Sequence, residues 1–109
     1  MTVMQRVMEM VEKMKSKPEV ISAISGTNKS FQFDLADGEK FYVEVSSGNV
    51  SVKEGTFASP SATIQASPEL LGEVLDGKTD PVRAFMSGKL KVKGDIFAAQ
   101  KITDALKKA

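Results

Sequence analysis

Few side chains in this chain could carry out covalent or acid–base chemistry. Among its 109 residues there is no Cys and no His, which excludes a Ser-His-Asp triad, a Cys nucleophile, a thiol redox couple and a zinc site of the usual ligand types. The remaining candidates are five carboxylates, those of Asp34, Asp37, Glu39, Glu44 and Glu54. The predicted strands and turns direct most of these side chains to solvent. No two of them are paired as acid–base catalysis requires. We therefore predict no catalytic residue, no metal site and no cofactor.

Lysines form the most regular charged pattern. Lys89, Lys91 and Lys93 alternate with Leu90 and Val92, so they share one face of a predicted strand. They could form a modest basic patch for phosphates or anionic lipid, together with Lys101, Lys107 and Lys108. A charged outer face that prevents edge-to-edge strand pairing is the interpretation we favour, because the patch lacks the stacking aromatic residues of a nucleic-acid platform. No glycine belongs to a nucleotide-binding motif, and we expect no nucleic-acid partner.

Composition describes one soluble domain. The 11.7 kDa chain is 41% hydrophobic and 27% charged, with a net charge of +1, and its length leaves little room beyond a single domain over residues 1–109. The longest apolar runs are too short to span a bilayer. The amino terminus lacks the apolar region of a secretory signal, so we expect a cytoplasmic protein.

In the first part of the chain the apolar residues have helical spacing. Apolar residues recur every three or four positions from Val3 to Met14, which predicts an amphipathic helix over residues 2 to about 17 with Thr2 as its N-cap. Pro18 suits the start of a short second helix, and Gly26 and Asn28 are its predicted stops. The predicted inner face of this helix is Val20, Ile21 and Ile24. The Met-rich face of the first helix fits packing on a sheet, which we favour, and also fits binding of a partner protein.

From Phe31 the apolar spacing changes to alternation, which predicts strands. The first runs from Phe31 to Leu35 with Gln32 on its solvent face, and Asp37-Gly38 predicts a two-residue type I′ hairpin turn. The returning strand carries Phe41, Val43 and Val45 inward, and a third strand carrying Val50 and Val52 follows the turn at residues 47–49. These three strands predict an antiparallel meander with one apolar face.

The second half alternates helices and strands. A loop over residues 54–61 leads to a fourth strand with Ala62, Ile64 and Ala66 on one side. Ser67-Pro68 and Asp80-Pro81 are start signals for two helices, the first carrying Leu70, Leu71, Val74 and Leu75 and the second reaching Phe85 and Met86. A fifth strand lies between Gly88 and Gly94, and Asp95 caps a last helix whose predicted inner face is Ile96, Ala99, Ile102, Ala105 and Leu106. The class is α+β, with helices on one face of a five-stranded, mainly antiparallel sheet.

One segment has a family resemblance. The run from Gly77 to Asp95, GKTDPVRAFMSGKLKVKGD, resembles the sterol carrier protein type-two, or lipid-transfer, domain in its two glycines, its Ala-Phe-Met and its alternating lysines. The likeness extends upstream through Phe31–Leu35, the hairpin and residues 62–67. It therefore covers nearly the whole chain in the expected order.

The resemblance implies a five-stranded sheet covered by helices around an apolar tunnel. Family members bind sterol, fatty acid, fatty acyl-CoA or phospholipid, and many move them between membranes without catalysis, with transient membrane contact. Phe85 and Met86 are the matched tunnel-wall residues. The apolar pattern adds eight wall candidates that face the same interior: Phe41, Val43, Val52, Ile64, Leu71, Leu75, Ile102 and Leu106.

Three features depart from the family pattern. Ser61 stands where the family often has Asp, the second strand lacks a Trp, and Lys107-Lys108-Ala109 is not the peroxisomal ending of animal members. The fusion to a thiolase or dehydrogenase that is common in animal members is absent from this sequence. A fatty acyl or phospholipid ligand is therefore favoured over sterol. The alternative function is an interaction module of the same fold that binds a partner protein, and neither the oligomeric state nor the exact lipid follows from the sequence.

Overall fold

The computed structural model describes residues 2–24 and 28–108 and contains five helices and five strands within them. The amino-terminal half comprises α1 (Val3–Met14), α2 (Pro18–Ile24), β1 (Lys29–Leu35), β2 (Lys40–Ser46) and β3 (Asn49–Glu54). The second half comprises β4 (Ala62–Ala66), α3 (Pro68–Leu75), α4 (Pro81–Met86), β5 (Lys91–Gly94) and α5 (Ile96–Lys107). The predicted number and order of these elements are confirmed.

The strands form one five-stranded sheet in the order β3-β2-β1-β4-β5. The first three strands make the predicted antiparallel meander, with Phe33 opposite Phe41 and Val43 opposite Val52. β4 lies parallel to β1 and antiparallel to β5, with Ile64 beside both Phe33 and Val92. The α+β class with a mainly antiparallel sheet is confirmed.

Short polar side chains start the helices as predicted. The Thr2 side chain accepts a hydrogen bond from the Gln5 amide, and the Gln5 side chain accepts one from the Thr2 amide, which completes a capping box. Ser67, Asp80 and Asp95 cap α3, α4 and α5, each by accepting a hydrogen bond from a backbone N–H of the first turn. α1 ends at Met14, three residues before the predicted end, and Gly26, one of the predicted stops of α2, lies outside the described residues.

The type I′ geometry predicted for the first hairpin is found in the second. The predicted type I′ turn at Asp37-Gly38 is wrong, because Gly38 alone has a positive φ there, of 96°. The two-residue turn between β2 and β3 has positive φ at both central positions, 52° at Ser47 and 81° at Gly48, which is the type I′ requirement. Asn28 holds this second turn, because its side chain accepts a hydrogen bond of 3.0 Å from the Ser47 amide.

One face of the sheet packs against helices and forms the core. The rings of Phe33 and Phe41 stack there with centroids 4.9 Å apart, and both side chains are buried. The apolar stripe of α1 packs onto the same core: Val3, Val7, Val11 and Met14 are buried, and Met4 and Met10 are half-buried against it. The Met-rich face thus packs on the sheet, so the alternative of a partner-binding helix is not favoured.

Gly72, in the interior of α3, is explained by a close neighbour. A Cβ at this position would lie 3.2 Å from Arg6 Nη1. The Arg6 guanidinium donates to the Gly72 carbonyl oxygen and pairs with the Asp76 carboxylate. The glycine therefore lets a charged side chain of α1 lie flat against α3.

Candidate functional site

An apolar groove of about 290 Å³ lies between α4, β5 and α5. β4 supplies its floor through Ile64, and the remaining lining residues come from the three surrounding elements: Pro81, Val82, Phe85, Met86, Leu90, Val92, Ile96, Ala99, Gln100 and Thr103. Nine of these eleven residues are apolar, so the groove offers dispersion contacts and removal of apolar surface from water. Its volume is close to the lower end of the range for small-molecule pockets, about 300–1,000 Å³.

The way α4 is anchored explains why the groove exists. Pro81 and Ala84 are the buried residues of this six-residue helix, so its attachment to the core uses two small side chains. Phe85 and Met86 are then left at the surface, and 80% of Met86 is exposed. On the opposite wall α5 presents Ala99, whose single methyl group leaves space where a larger side chain would fill it.

The polar groups of the groove are few. The Thr103 hydroxyl donates a hydrogen bond of 2.9 Å to the Ala99 carbonyl oxygen of its own helix. Gln100 is exposed, so its amide lies at the rim and not at the floor. Ile64 and Leu90 are buried, and Val92, the neighbour of Ile64 on β5, is half-buried. The floor therefore suits a hydrocarbon chain and provides no acid, base or nucleophile.

The groove is open to solvent along the side formed by α4 and the first turn of α5. Val82, Phe85, Met86 and Ile96 all expose a third or more of their surface. The expected tunnel is not shown by the described residues, which form this open groove in its place. The fold agrees with the prediction, and an enclosed tunnel stays a prediction.

The structure brings three of the ten predicted wall residues to the groove, Ile64, Phe85 and Met86. Val52 is half-buried and borders a shallow hollow beside α1 at the far edge of the sheet. The other six are buried in the core: Phe41, Val43, Leu71, Leu75, Ile102 and Leu106. Of those six, Ile102 also borders a second, smaller cavity.

Eight lining residues were not among the predicted wall residues. Ile96 was assigned to the inner face of α5, and this assignment is wrong, because 43% of it is exposed at the groove rim. The inner face of α5 consists of Ala98, Ala99, Ile102, Ala105 and Leu106. The spacing of Ile96, Ala99, Gln100 and Thr103 on one side of the helix is a signal that could have identified the α5 wall.

The second cavity, of about 160 Å³, lies on the other side of the α5 amino terminus. It is lined by Lys29, Phe31, Val45, Asp95, Phe97, Ala98, Lys101 and Ile102. Lys29 Nζ lies 3.1 Å from the Asp95 carboxylate. The Ala98 backbone N–H donates to the same carboxylate, and this hydrogen bond, with that from Lys29, lowers the pKa of Asp95 below its ordinary value of 3.8.

The lowered pKa of Asp95 predicts an acid-sensitive contribution to stability. Because the folded state favours the ionised carboxylate, this contribution is complete above the ordinary Asp pKa and is lost as the pH falls through the lower pKa of the folded state. We expect Asp95→Asn, which keeps a capping side chain, to have a lower melting temperature than wild type at pH 7. This difference should shrink as the pH falls below about 4. Thermal unfolding by circular dichroism measures it, and a difference unchanged down to pH 2 would contradict the assignment.

Several carboxylates and lysines that the sequence analysis considered for chemistry or anion binding have places in the fold. Glu39 accepts a hydrogen bond from the Met4 backbone, and Asp37 accepts one from the Glu39 amide. Lys91 and Lys93 lie opposite Gln65 and Thr63 at the β5 edge of the sheet. Within residues 2–24 and 28–108, no group of three or more His, Cys, Asp or Glu side chains could hold a metal ion. None of the helices described is long and apolar enough to cross a bilayer.

Comparison with known proteins agrees with this architecture. The sequence profile of the SCP-2 sterol transfer family matches residues 7–107. The mouse peroxisomal multifunctional enzyme type 2 is 35% identical over 89 residues, which are 77% of this chain and 12% of that protein. A fatty acid-binding protein of Yarrowia lipolytica is 34% identical over 86 residues, which are 78% of this chain and 60% of that protein. This chain therefore spans less than two thirds of either relative.

A solved structure shares the fold. Sterol carrier protein 2 from Yarrowia lipolytica, in its apo form, superposes with a TM-score of 0.69 at 22% sequence identity, over 98% of this chain and 88% of that chain. The family profile, the fold and the position of the groove beside the Ala-Phe-Met segment agree with one another. This chain belongs to the SCP-2 sterol transfer family.

Proposed function

We propose that this chain is a lipid-binding domain that holds a hydrocarbon chain in its groove and transfers it between membranes without catalysing a reaction. The observation that carries the proposal is the floor of the groove, where apolar side chains from β4, β5 and α4 converge and the Thr103 hydroxyl is tied to its own helix. Transfer of hydrocarbon from water to such a site gains about 25 cal/mol per Å² buried. Residues 1–109 act as one domain in this proposal, and a cytoplasmic location stays a prediction.

Size and shape favour an acyl chain over a sterol. A groove of about 290 Å³ accepts a narrow, flexible chain more readily than a rigid ring system. Its open side leaves room for a headgroup in water. Fatty acid, fatty acyl-CoA and phospholipid all meet this description, and the name of the Yarrowia fatty acid-binding protein supports the same class.

The ligand contacts Ile64, Phe85 and Met86 in the groove as it stands. Of the other predicted wall residues, Ile102 and Leu106 reach a ligand when α5 moves away from the sheet, because both are buried on the inner face of this helix. That movement would join the groove to the layer that contains Phe41 and Val43. The proposal therefore includes α5 as the element that adjusts the size of the site.

A charge at the groove rim should weaken lipid binding. We expect Met86→Asp to lower the affinity for a fluorescent fatty acid about tenfold, because the variant loses apolar contact and places a carboxylate beside the hydrocarbon chain. Met86 is 80% exposed, so the fold should be unaffected. Titration of purified protein with the fatty acid measures the affinity, and far-UV circular dichroism checks the fold.

Met8 provides the matched control. It is an exposed methionine on α1, and it borders the hollow beside Val50 and Val52 at the opposite edge of the sheet. We expect Met8→Asp to bind the fatty acid as wild type does. Equal losses in both variants, or a wild-type protein that binds neither fatty acid nor acyl-CoA at micromolar concentration and carries no extractable lipid, would overturn the proposal.

A further inference from the structure

The exposed large apolar side chains are concentrated at one place. Of the six that the described residues present, five belong to α4 or the first turn of α5: Val82, Phe85, Met86, Ile96 and Phe97. Four of these form the rim of the groove, whereas Phe97 points away from it and borders the second cavity. Met86 and Phe97 are each 80% exposed. Grouped exposed apolar side chains of this kind mark an interaction surface.

Basic side chains flank this apolar group on both sides. Arg83 and Lys89 border a hollow next to α4, whose far side carries Glu69 and Glu73 of α3. Lys101 lies beside Phe97 in the second cavity. Residues 78–101 contain six Lys or Arg and two Asp, a net charge of +4, although the whole chain carries only +1. Both aspartates are engaged, Asp80 as the N-cap of α4 and Asp95 with Lys29 and Ala98.

We propose that α4 and the first turn of α5 form a docking surface for an anionic phospholipid bilayer. In the docked state Met86 and Phe97 enter the boundary between headgroups and acyl chains, and Arg83, Lys89 and Lys101 contact lipid phosphates. The mouth of the groove then faces the acyl chains of the membrane. The role of the groove mouth in lipid exchange rests on the proposed function. Docking itself does not require a bound ligand.

Charge favours a membrane over a second copy of this chain. A symmetric dimer formed through this face would bring two copies of Arg83, Lys89 and Lys101 together, and like charges across an interface are unfavourable. An anionic bilayer supplies the opposite charge together with an apolar layer. Each basic side chain close to such a surface is expected to contribute about fivefold to the affinity.

The absence of Trp from the chain allows a direct test. Phe97→Trp places the single tryptophan of the variant on the proposed surface, and Met8→Trp places it on the opposite edge of the sheet. With vesicles of equimolar phosphatidylserine and phosphatidylcholine, we expect a blue shift and protection from a water-soluble quencher for Phe97→Trp only. High salt or vesicles of pure phosphatidylcholine should remove both effects, because the basic side chains then lose their partner.

A second variant separates docking from ligand binding. Phe97 lines no part of the groove, so Phe97→Asp should lower the affinity for the anionic vesicles about tenfold or more and leave fatty acid binding unchanged. Lys89→Gln combined with Lys101→Gln should lower vesicle affinity about 25-fold if each charge contributes fivefold. Vesicle sedimentation measures both effects.

Four outcomes would overturn the inference. They are no vesicle binding by the wild-type protein, an equal response of Met8→Trp, equal binding to neutral vesicles, and a concentration-dependent dimer that Phe97→Asp disrupts. A protein that binds anionic vesicles through Phe97 but takes up no fatty acid would overturn the proposed function and leave the docking surface intact. Fatty acid binding without vesicle binding would overturn the docking surface and leave the proposed function intact.

Discussion

Gly94→Ala is expected to destabilise the fold by about 3 kcal/mol or more. Gly94 has φ of 90°, a conformation that costs an L-residue about 1–2 kcal/mol. The added Cβ would also lie 2.5 Å from the Ser61 carbonyl oxygen and 3.2 Å from Ala62 Cα. Both neighbours are backbone atoms, one in β4 and one in the residue just before it, so neither can rotate away, and the strands must separate.

This separation would affect the groove directly. Gly94 lies opposite Ala62 at the end of β5, and the next amide, that of Asp95, donates to the Ser61 carbonyl oxygen at 2.9 Å. A side chain at position 94 therefore pushes the junction between β5 and α5 away from the start of β4. Because β5 and α5 both line the groove, lipid binding should weaken together with stability.

Urea unfolding followed by circular dichroism measures the expected loss. Gly38→Ala is the matched control, because Gly38 has a similar φ of 96° but a Cβ there would have no atom within 4 Å. It should cost only the conformational part, about 1–2 kcal/mol. Equal losses in the two variants would show that the close approach to Ser61 contributes nothing.

Local signals in the sequence predicted the elements well. A capping side chain followed by proline started α3 and α4 where the structure has them, at Ser67-Pro68 and Asp80-Pro81, because both residues act within one turn of their own position. The turns were less predictable. Asp37 and Ser47 stand in similar contexts, yet only Ser47 adopts a positive φ.

The strand order depended on long-range pairing. Alternation identified β4, but its position between β1 and β5 follows from contacts between residues about thirty positions apart in the chain, such as Phe33 with Ile64. Nothing within β4 itself distinguishes pairing with β1 from pairing with an edge strand. The parallel β1–β4 pair therefore could not be derived from local spacing.

The groove was predicted only in part for a similar reason. Alternation tells which face of a strand a side chain takes, and it assigned Phe41 and Ile64 correctly to the same interior. Phe41 is closed off by its stacked partner Phe33, whereas Ile64 lies beneath a gap between α4 and α5. The distance between packed layers decides whether an inward side chain becomes core or wall, and a single sequence does not encode that distance in any local pattern.

The outer face of the sheet contains a polar contact that no sequence signal indicated. Gln32 was predicted to face solvent, yet it is only 2% exposed, because the chain after β3 folds over it. Its side-chain amide donates to the carbonyl oxygens of Phe41 and Gly55 at 3.2 and 3.1 Å, and its oxygen accepts from the Phe57 amide at 2.7 Å. The Phe57 ring then packs on Tyr42, with centroids 5.1 Å apart. Gln32 thus holds the segment that leads into β4, the floor of the groove.

Gln32→Met should therefore destabilise the fold by about 2–3 kcal/mol. The thioether fills nearly the same volume but offers no hydrogen bond of comparable strength, so buried backbone groups of the overlying segment lose their partner, at about 1–3 kcal/mol for each group left unsatisfied. We also expect the Phe57 amide to exchange with solvent much faster in Gln32→Met, while the amides of the β1–β2 ladder stay protected. Urea unfolding and amide hydrogen exchange measure the two effects.

Gln65→Met is the matched control for this prediction. Gln65 lies on the same face of the sheet, beside Asp34 and opposite Lys91, and no side-chain hydrogen bond holds it within the part of the chain that the structure describes. Its replacement should change the free energy of unfolding by less than about 0.5 kcal/mol. If Gln32→Met were equally mild and the Phe57 amide kept its protection, packing of Phe57 on Tyr42 would suffice to hold the segment, and the buried amide would not be what positions β4 beneath the groove.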